Sequence, residues 1–190
     1  MVEYSLDTNI RATVHFLLAA ASIILCYFAY TAMAPSTSDL AKLARISSAF
    51  VVYGFLLWLF NRFIWRFRLV RLFHGVPDLN GRWRGSIVRG ETGSEVRHIR
   101  ANIVQNWHNI FIEVDAEHSR STLKTAAILT KGSKKEILYS YSKVPLNGAT
   151  GRFGEGFQQL KIDGNDELSG HYFSTRLRTG FTTLARELTP

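Results

Sequence analysis

Two long apolar stretches dominate the first 75 residues of the chain, and short alternating segments follow them. The first stretch, Ala12–Ala34, has no charged side chain, and the second, Ile46–Ile64, is uncharged up to Asn61. The 23 residues of the first stretch would form a helix of about 34 Å, enough to cross a hydrocarbon core of about 30 Å. The pattern therefore predicts a transmembrane α-helical hairpin within residues 1–75.

The second stretch is short for a membrane span. Ile46 to Asn61 is 16 residues, or about 24 Å of helix. It reaches both interfaces only if Arg62 snorkels and the aromatic side chains after it lie at the headgroup level. Two alternatives stay open. Ala32–Ala34 resembles a signal-peptide cleavage site, and a pair of apolar helices can also form the core of a soluble protein.

Basic residues flank the two stretches unequally. The loop Pro35–Arg45 between them carries Lys42 and Arg45. Five arginines lie before the first stretch or after Asn61, where the uncharged part of the second stretch ends, namely Arg11, Arg62, Arg66, Arg68 and Arg71. By the positive-inside rule, this asymmetry predicts two spans with both termini in the cytoplasm.

After Pro77 the apolar and polar residues alternate with a period of two, as in half-buried strands. In the first such segment Leu79, Trp83 and Ile87 fall on one face. Glycine, asparagine, aspartate and serine separate eight segments of this kind: Leu79–Arg89, Arg97–Asn106, Asn109–Glu117, Ser121–Thr130, Glu136–Lys143, Arg152–Ile162, Glu167–Ser174 and Thr179–Leu188. Regular spacing and short turns predict a compact eight-stranded antiparallel up-and-down β-barrel over residues 76–190.

Charge and residue types narrow the function classes. A net charge of +8 and a pI near 9.9 favour an anionic partner, such as nucleic acid, a nucleotide or an anionic lipid surface. The single cysteine, Cys26, provides no disulfide framework. The six histidines form no metal-binding pair, and no nucleophile or phosphate-loop motif has the required context. We therefore expect no enzymatic activity, no cofactor and no metal.

Arginine and tyrosine side chains cluster in the second half of the β region. Guanidinium groups bind phosphates in a bidentate manner and aromatic rings stack on bases, so the combination suits a ligand that carries both. The candidate ligand-binding residues are Arg176, Arg178, Tyr139, Tyr141, Tyr172 and Arg152. The alternative is an aromatic barrel core with a basic hairpin tip.

The layout as a whole resembles a known family. Two N-terminal apolar helices, an arginine-rich connector and a β domain that begins LNGRWRG and ends near HYFSTRLRTGF are similar to the two-transmembrane β-barrel effectors of CBASS, the bacterial anti-phage cyclic-oligonucleotide signalling systems. This is the SMODS-associated two-transmembrane β-strand-rich effector family. A Gly-x-Trp on the first strand, Gly81–Trp83, also resembles the plug of lipocalin- and avidin-type barrels.

The resemblance implies an antiviral function at the bacterial inner membrane. The β-barrel would sense a cyclic dinucleotide or a related nucleotide signal, and not a nucleic acid polymer. The helices would then form homo-oligomers in the lipid bilayer, disrupt the membrane and kill the infected cell. The alternative from another class is a membrane-anchored, lipocalin-like carrier or sensor of a lipid or other apolar ligand. A scaffold without a small ligand is the third.

Overall fold

The computed structural model describes residues 1–32, 39–89, 95–131, 134–146, 153–164 and 166–187. It contains two compact units. Residues Thr8–His74 form a helical unit. Residues Met1–Asp7 join Gly75–Pro190 in a β-barrel unit, so the first seven residues belong with the barrel although the helices separate them from it in sequence.

The helical unit contains three α-helices, α1 (Ile10–Ala32), α2 (Asp39–Arg62) and α3 (Arg68–His74), with a 3₁₀ turn at Ile64–Arg66. Helix α2 begins seven residues before the expected start at Ile46. The expected loop Pro35–Arg45 was therefore wrong in its second half, because the leucines, alanines and lysine that follow Asp39 are good helix formers. Residues 33–38 of that loop lie outside the described residues.

Helices α1 and α2 contact each other along one face. His15 Nδ1 lies 2.7 Å from Tyr53 Oη, and Ser48 Oγ lies 3.8 Å from Cys26 Sγ. The other faces of α1 expose large apolar side chains such as Phe16. Among the described residues, α1 is long and apolar enough to cross a membrane by length and composition, and Ser48–Arg62 of α2 forms a shorter apolar stretch.

The barrel unit is a closed sheet of nine strands. All eight expected strands are present, with ends within two residues of the expected ones. The strands are β1 (Val2–Leu6), β2 (Gly81–Arg89), β3 (Glu95–Gln105), β4 (Asn109–Ala116), β5 (Ser119–Leu129), β6 (Lys135–Pro145), β7 (Gly154–Asp163), β8 (Glu167–Ser174) and β9 (Arg178–Arg186). Their order around the barrel is β1-β4-β3-β2-β9-β8-β7-β6-β5.

Strand β1 corrects the expectation of an eight-stranded, purely antiparallel barrel. Strands β4 and β5 pair with each other only near their connecting turn, and β1 fills the gap where they separate. It runs antiparallel to β4 and parallel to β5, with Tyr4 opposite Ala126. Tyr4 is fully buried, and its hydroxyl donates a hydrogen bond of 2.9 Å to the carbonyl of Trp107. Five residues next to an apolar helix carry too weak a strand pattern to reveal this pairing.

The chain leaves the barrel and returns to it at one place. The carboxylate of Asp7 accepts hydrogen bonds from Thr130 N (2.9 Å), Thr130 Oγ1 (2.8 Å) and Lys131 N (2.7 Å). Gly75, where the chain re-enters the barrel unit, has φ 73° and also lies beside the side chain of Thr130. Both connections to the helical unit therefore emerge next to Thr130.

Large side chains fill the end of the barrel at which β2 begins. Trp83 is fully buried, and its Nε1 donates to the carbonyl of Leu79 at 3.0 Å. The guanidinium of Arg186 lies 4.8 Å from the Trp83 ring centroid. We call this the Trp83 end. The opposite end, where β2 finishes at Arg89 and β9 begins at Arg178, is called the basic end.

Candidate ligand-binding site

The barrel contains a cavity of about 70 Å³ between its centre and its basic end. Apolar side chains such as Ile99 and Ile112 line one side, and the polar side chains of Tyr139, Gln158 and Tyr172 line the other. One buried water needs about 10–15 Å³, so the cavity has room for several waters or for part of a ligand.

The strand register places the polar lining residues in two rows. The first row crosses five neighbouring strands and consists of Tyr139, Gln158, Tyr172, Gly180 and Arg89. The second row lies one step closer to the basic end and consists of Tyr141, Gly156, Ser174 and Arg178. Because alternate residues of a strand face the same side, both rows point into the barrel.

Two glycines leave space for the tyrosine rings. A Cβ at Gly156 would collide with the ring of Tyr141, and a Cβ at Gly180 would collide with the ring of Tyr172. The absent side chains thus leave room for both rings, which line the cavity.

Positive charge is concentrated at the basic end. A recess of about 50 Å³ lies above the cavity and shares Arg89, Tyr141, Lys143 and Tyr172 with it. Arg176 and Arg178 form its outer rim, and Arg176 Nη2 donates to the carbonyl of Phe153 at 2.8 Å.

The pKa of Lys143 reflects the positive charge around the recess. Burial, and then the charges of Arg89, Arg97, Arg176 and Arg178, lower the pKa of Lys143 below its ordinary value. Five cationic side chains of the cavity and the recess therefore act on one another, and an anion bound there would relieve their mutual repulsion. The one carboxylate that lines the recess in the described residues, Glu155, forms an ion pair with Lys124.

The floor of the cavity carries polar groups in an apolar surrounding. Tyr139 Oη donates a hydrogen bond of 2.6 Å to Gln158 Oε1. Burial raises the pKa of Tyr139, and burial together with Tyr172 raises the pKa of Tyr141 to about 12. Both phenols are therefore neutral donors at physiological pH.

Two polar atoms of the floor have no hydrogen-bond partner among the described residues. Gln158 Nε2 and Tyr172 Oη are buried and make no hydrogen bond with any residue that the structure describes. Buried polar groups are nearly always satisfied by protein or water, and an unpaired one is costly. These atoms are therefore suited to contact a ligand or the water that precedes it.

The structure brings together five of the six residues singled out from the sequence. Tyr139, Tyr141 and Tyr172 line the cavity, and Arg176 and Arg178 line the recess above it. Arg152 lies outside the described residues.

Sequence reasoning missed Arg89, Arg97, Lys143 and Gln158. For three of them, the alternation of inward-facing and outward-facing positions along the strand indicated a place inside the barrel. Arg89 has the same parity as Trp83, Arg97 the same as Ile99, and Lys143 the same as Tyr141, so each faces the interior. Gln158 gave no such signal, because the register of the later strands was not evident.

Other surfaces are less suited to an anionic ligand. The outer wall near Arg84 and Arg100 also carries Asp115 and Glu117, and Arg84 forms an ion pair of 2.8 Å with Glu187. In the described ranges, no group of three or more histidine, cysteine, aspartate or glutamate side chains could hold a metal ion.

Comparison with known proteins gives consistent matches. A family model described as "Cap15, cyclic dinucleotide receptor domain" matches residues 74–186, which include every residue of the cavity and the recess. The CD-NTase-associated protein 15 of Yersinia aleksiciae is 30% identical over 145 residues, covering 73% of this chain and 68% of the relative. The protein of the same name from Staphylococcus schleiferi is 26% identical over 153 residues, covering 75% and 76%.

Proposed function

The chain belongs to the Cap15 family of CBASS effectors, and on that premise we propose that its barrel binds a cyclic dinucleotide at the basic end. We propose further that binding drives copies of the chain to assemble through their helices, which disrupts the bacterial inner membrane and kills the infected cell. The observation that carries the ligand assignment is the meeting of cations and tyrosines at one end of the barrel.

The two parts of such a ligand match the two parts of the site. A cyclic dinucleotide carries two phosphates and two bases. Arg89, Lys143 and Arg178 border the recess and would bind phosphate through charge-assisted hydrogen bonds. Tyr141 and Tyr172 border both the recess and the cavity, and their rings would stack on a base.

The size of the site supports partial insertion. Pockets for small molecules usually measure about 300–1,000 Å³. The cavity of about 70 Å³ and the recess of about 50 Å³ are far smaller. We therefore infer that one base enters the barrel while the phosphates lie across the recess.

An apolar carrier is the weaker alternative. A lipid chain needs a deep apolar cavity, whereas this one is small, has polar atoms in its floor that no described residue pairs, and adjoins a recess lined by Arg89, Lys143, Arg176 and Arg178. No observation favours the carrier function.

The ligand assignment is tested by calorimetry on the full-length chain in detergent micelles. The titrants are cyclic di-GMP, cyclic di-UMP and cyclic di-AMP, with the corresponding linear dinucleotides for comparison. A charge-assisted hydrogen bond contributes about 1.5–3 kcal/mol, so Arg178→Ala should weaken binding by about 10-fold or more. Arg82→Ala, which removes an exposed arginine from the outer wall, is the matched control and should bind as the parent does. Absence of binding to every cyclic dinucleotide would refute the assignment.

The placement of β1 supports an even number of membrane crossings. The segment before α1 and the segment after α3 are both part of the barrel, and both meet at Thr130. A folded barrel lies on one side of a membrane, so the helical unit must start and finish on that side. Helix α1 is long enough to cross, and the 24 residues of α2 have a length of about 36 Å. Two spans with both termini in the cytoplasm satisfy these conditions.

The topology is tested by labelling engineered cysteines with a membrane-impermeant reagent in a Cys26→Ser background. In intact spheroplasts, Thr37→Cys should react and Ser5→Cys should react only after permeabilisation. Labelling of Ser5→Cys in intact spheroplasts would exclude this topology.

Membrane disruption is tested in vesicles of bacterial lipids that contain the purified chain and a trapped dye. Addition of a bound cyclic dinucleotide should release the dye, and Arg178→Ala should shift the release to higher ligand concentration. Ala19–Ser22 of α1 are four small residues in succession, which allow helices to approach each other closely. Ala20→Leu keeps the apolar character of α1 and adds bulk there, so it should reduce release without reducing ligand affinity. Ligand binding without dye release would argue against the membrane mechanism.

A further inference from the structure

The floor of the barrel cavity has a fixed hydrogen-bonding character. Tyr139, Gln158 and Tyr172 occupy neighbouring positions of one row across β6, β7 and β8. A glutamine side chain can present either its oxygen, which accepts, or its nitrogen, which donates. The environment of Gln158 decides between the two.

Tyr139 contacts the oxygen of that amide. Its hydroxyl donates to Gln158 Oε1 at 2.6 Å, which occupies the accepting end of the amide. The donating end, Gln158 Nε2, is left buried without a partner among the described residues, and Tyr172 Oη is left in the same way. Both residues line the cavity and are paired on the neighbouring strands β7 and β8, so two donor groups belong to one part of the floor.

We propose that Tyr139 is a positioning residue which makes the cavity select a base whose carbonyl oxygen accepts a hydrogen bond from Gln158, that is, guanine or uracil in preference to adenine. This inference rests on the proposed function, because it assumes that one base of a cyclic dinucleotide enters the barrel. It adds to that function the class of base that enters the barrel and the residues that recognise it.

The donor pattern of the bases gives the physical reason. Guanine presents two neighbouring acceptors, O6 and N7, and uracil presents carbonyl oxygens, whereas adenine presents an acceptor next to its amino group. The two neighbouring acceptors of guanine match two donors directly, and one carbonyl oxygen of uracil can accept from both donors through its two lone pairs. Adenine could use N7 for Gln158, but Tyr172 would then have to accept from the amino group, and its own hydroxyl proton would stay buried without an acceptor among the described residues. Adenine therefore leaves one hydrogen bond unmade.

The test measures a ratio of affinities. Calorimetry on the full-length chain in detergent micelles gives the dissociation constants for cyclic di-GMP, cyclic di-UMP and cyclic di-AMP. We expect the tighter of the two carbonyl-bearing ligands to bind about 10-fold or more tightly than cyclic di-AMP. Tyr139→Phe keeps the ring but removes the hydroxyl, so the amide of Gln158 can turn and accept. The preference should then fall to about 3-fold or less, mainly because cyclic di-AMP binds more tightly.

Two further variants distinguish a change in base preference from a general loss of folded protein. Gln158→Met removes the amide at similar volume and should also abolish the preference, in this case by weakening the carbonyl-bearing ligand. Tyr141→Phe removes a hydroxyl from the same strand but not from the floor, and should preserve the ratio. A merely structural role for Tyr139 would lower all affinities together and leave the ratio unchanged.

Each outcome decides a different point. A parent chain that binds cyclic dinucleotides without preference, or prefers cyclic di-AMP, would overturn this inference and leave the proposed function intact. A ratio that is the same in Tyr139→Phe and the parent would also overturn it. Failure of the parent chain to bind any of the three would overturn the proposed function and this inference with it.

Discussion

Replacing Tyr4 should destabilise the barrel, although more than 70 residues separate it from the next barrel strand, β2. Tyr4 lies in β1, between β4 and β5, and none of its side chain is exposed. Its hydroxyl reaches the carbonyl of Trp107 at 2.9 Å. The aromatic ring and the hydroxyl therefore both contribute to the Trp83 end of the core.

The two parts of the side chain have separable effects. Tyr4→Phe removes one buried hydrogen bond and should lower the free energy of barrel opening by about 0.5–1.5 kcal/mol. Tyr4→Ala also removes the ring and leaves a cavity, which in buried aromatic positions costs about 3–5 kcal/mol. Loss on this scale is a large share of the stability of a small domain, which is about 5–15 kcal/mol.

Hydrogen exchange measured by mass spectrometry on the full-length chain in detergent resolves the effect by region. Peptides from β4 and β5 report the opening of the barrel wall separately from the helices. The matched control is Tyr27→Ala, the same substitution at a tyrosine of α1 that is 65% exposed. It should leave the exchange of β4 and β5 within about 0.5 kcal/mol of the parent.

The comparison of the two variants can refute the reasoning. If Tyr4→Ala changed the protection of β4 and β5 no more than Tyr27→Ala does, β1 would not be part of the barrel wall. The argument for an even number of membrane crossings would then lose its support.

Three further predictions concern the junction at Asp7 and the ligand site. Burial acts to raise the pKa of Asp7, but hydrogen bonds from Thr130 and Lys131 outweigh it and hold the pKa below its ordinary value. The carboxylate therefore stabilises the barrel at every pH above its unfolded pKa of about 3.9, and this stabilisation is lost as the pH falls through the lowered pKa of the folded state. Asp7→Asn should make the stability measured by hydrogen exchange depend less on pH in this acidic range. Because the pKa of Lys143 is lowered, ligand affinity measured by calorimetry should start to fall at a pH below the ordinary lysine pKa of about 10.4. Lys143→Arg should remove this fall, because arginine stays protonated. The same fall in both proteins would contradict the role of Lys143. A methyl group at Gly180 would collide with the carbonyl of Val88 as well as with the ring of Tyr172, so the test is Tyr172→Leu, which removes the ring without a backbone collision. It should weaken binding by about 10-fold or more, whereas unchanged affinity would argue against stacking on that ring.

The candidate site was only partly accessible to sequence reasoning. Arginines and tyrosines near the ends of strands indicated an anionic, base-bearing ligand, and five of the six chosen residues do meet. Parity along each strand would also have placed Arg89, Arg97 and Lys143 inside the barrel. The hydrogen bond between Tyr139 and Gln158 could not be predicted from the sequence, because it depends on the register of β6 against β7.

Periodicity by itself determined the eight strands from Gly81 onwards and the buried faces of the first three of them, because alternation is a property of neighbouring residues. The uncharged run of Ala12–Ala34 likewise determined a long apolar helix. Only the tertiary structure decided that Val2–Leu6 closes the barrel, since its partners lie more than 100 residues away and five residues carry little pattern. It also decided which cations share one recess and which polar atoms stay unpaired, because both depend on contacts across strands that no local pattern encodes.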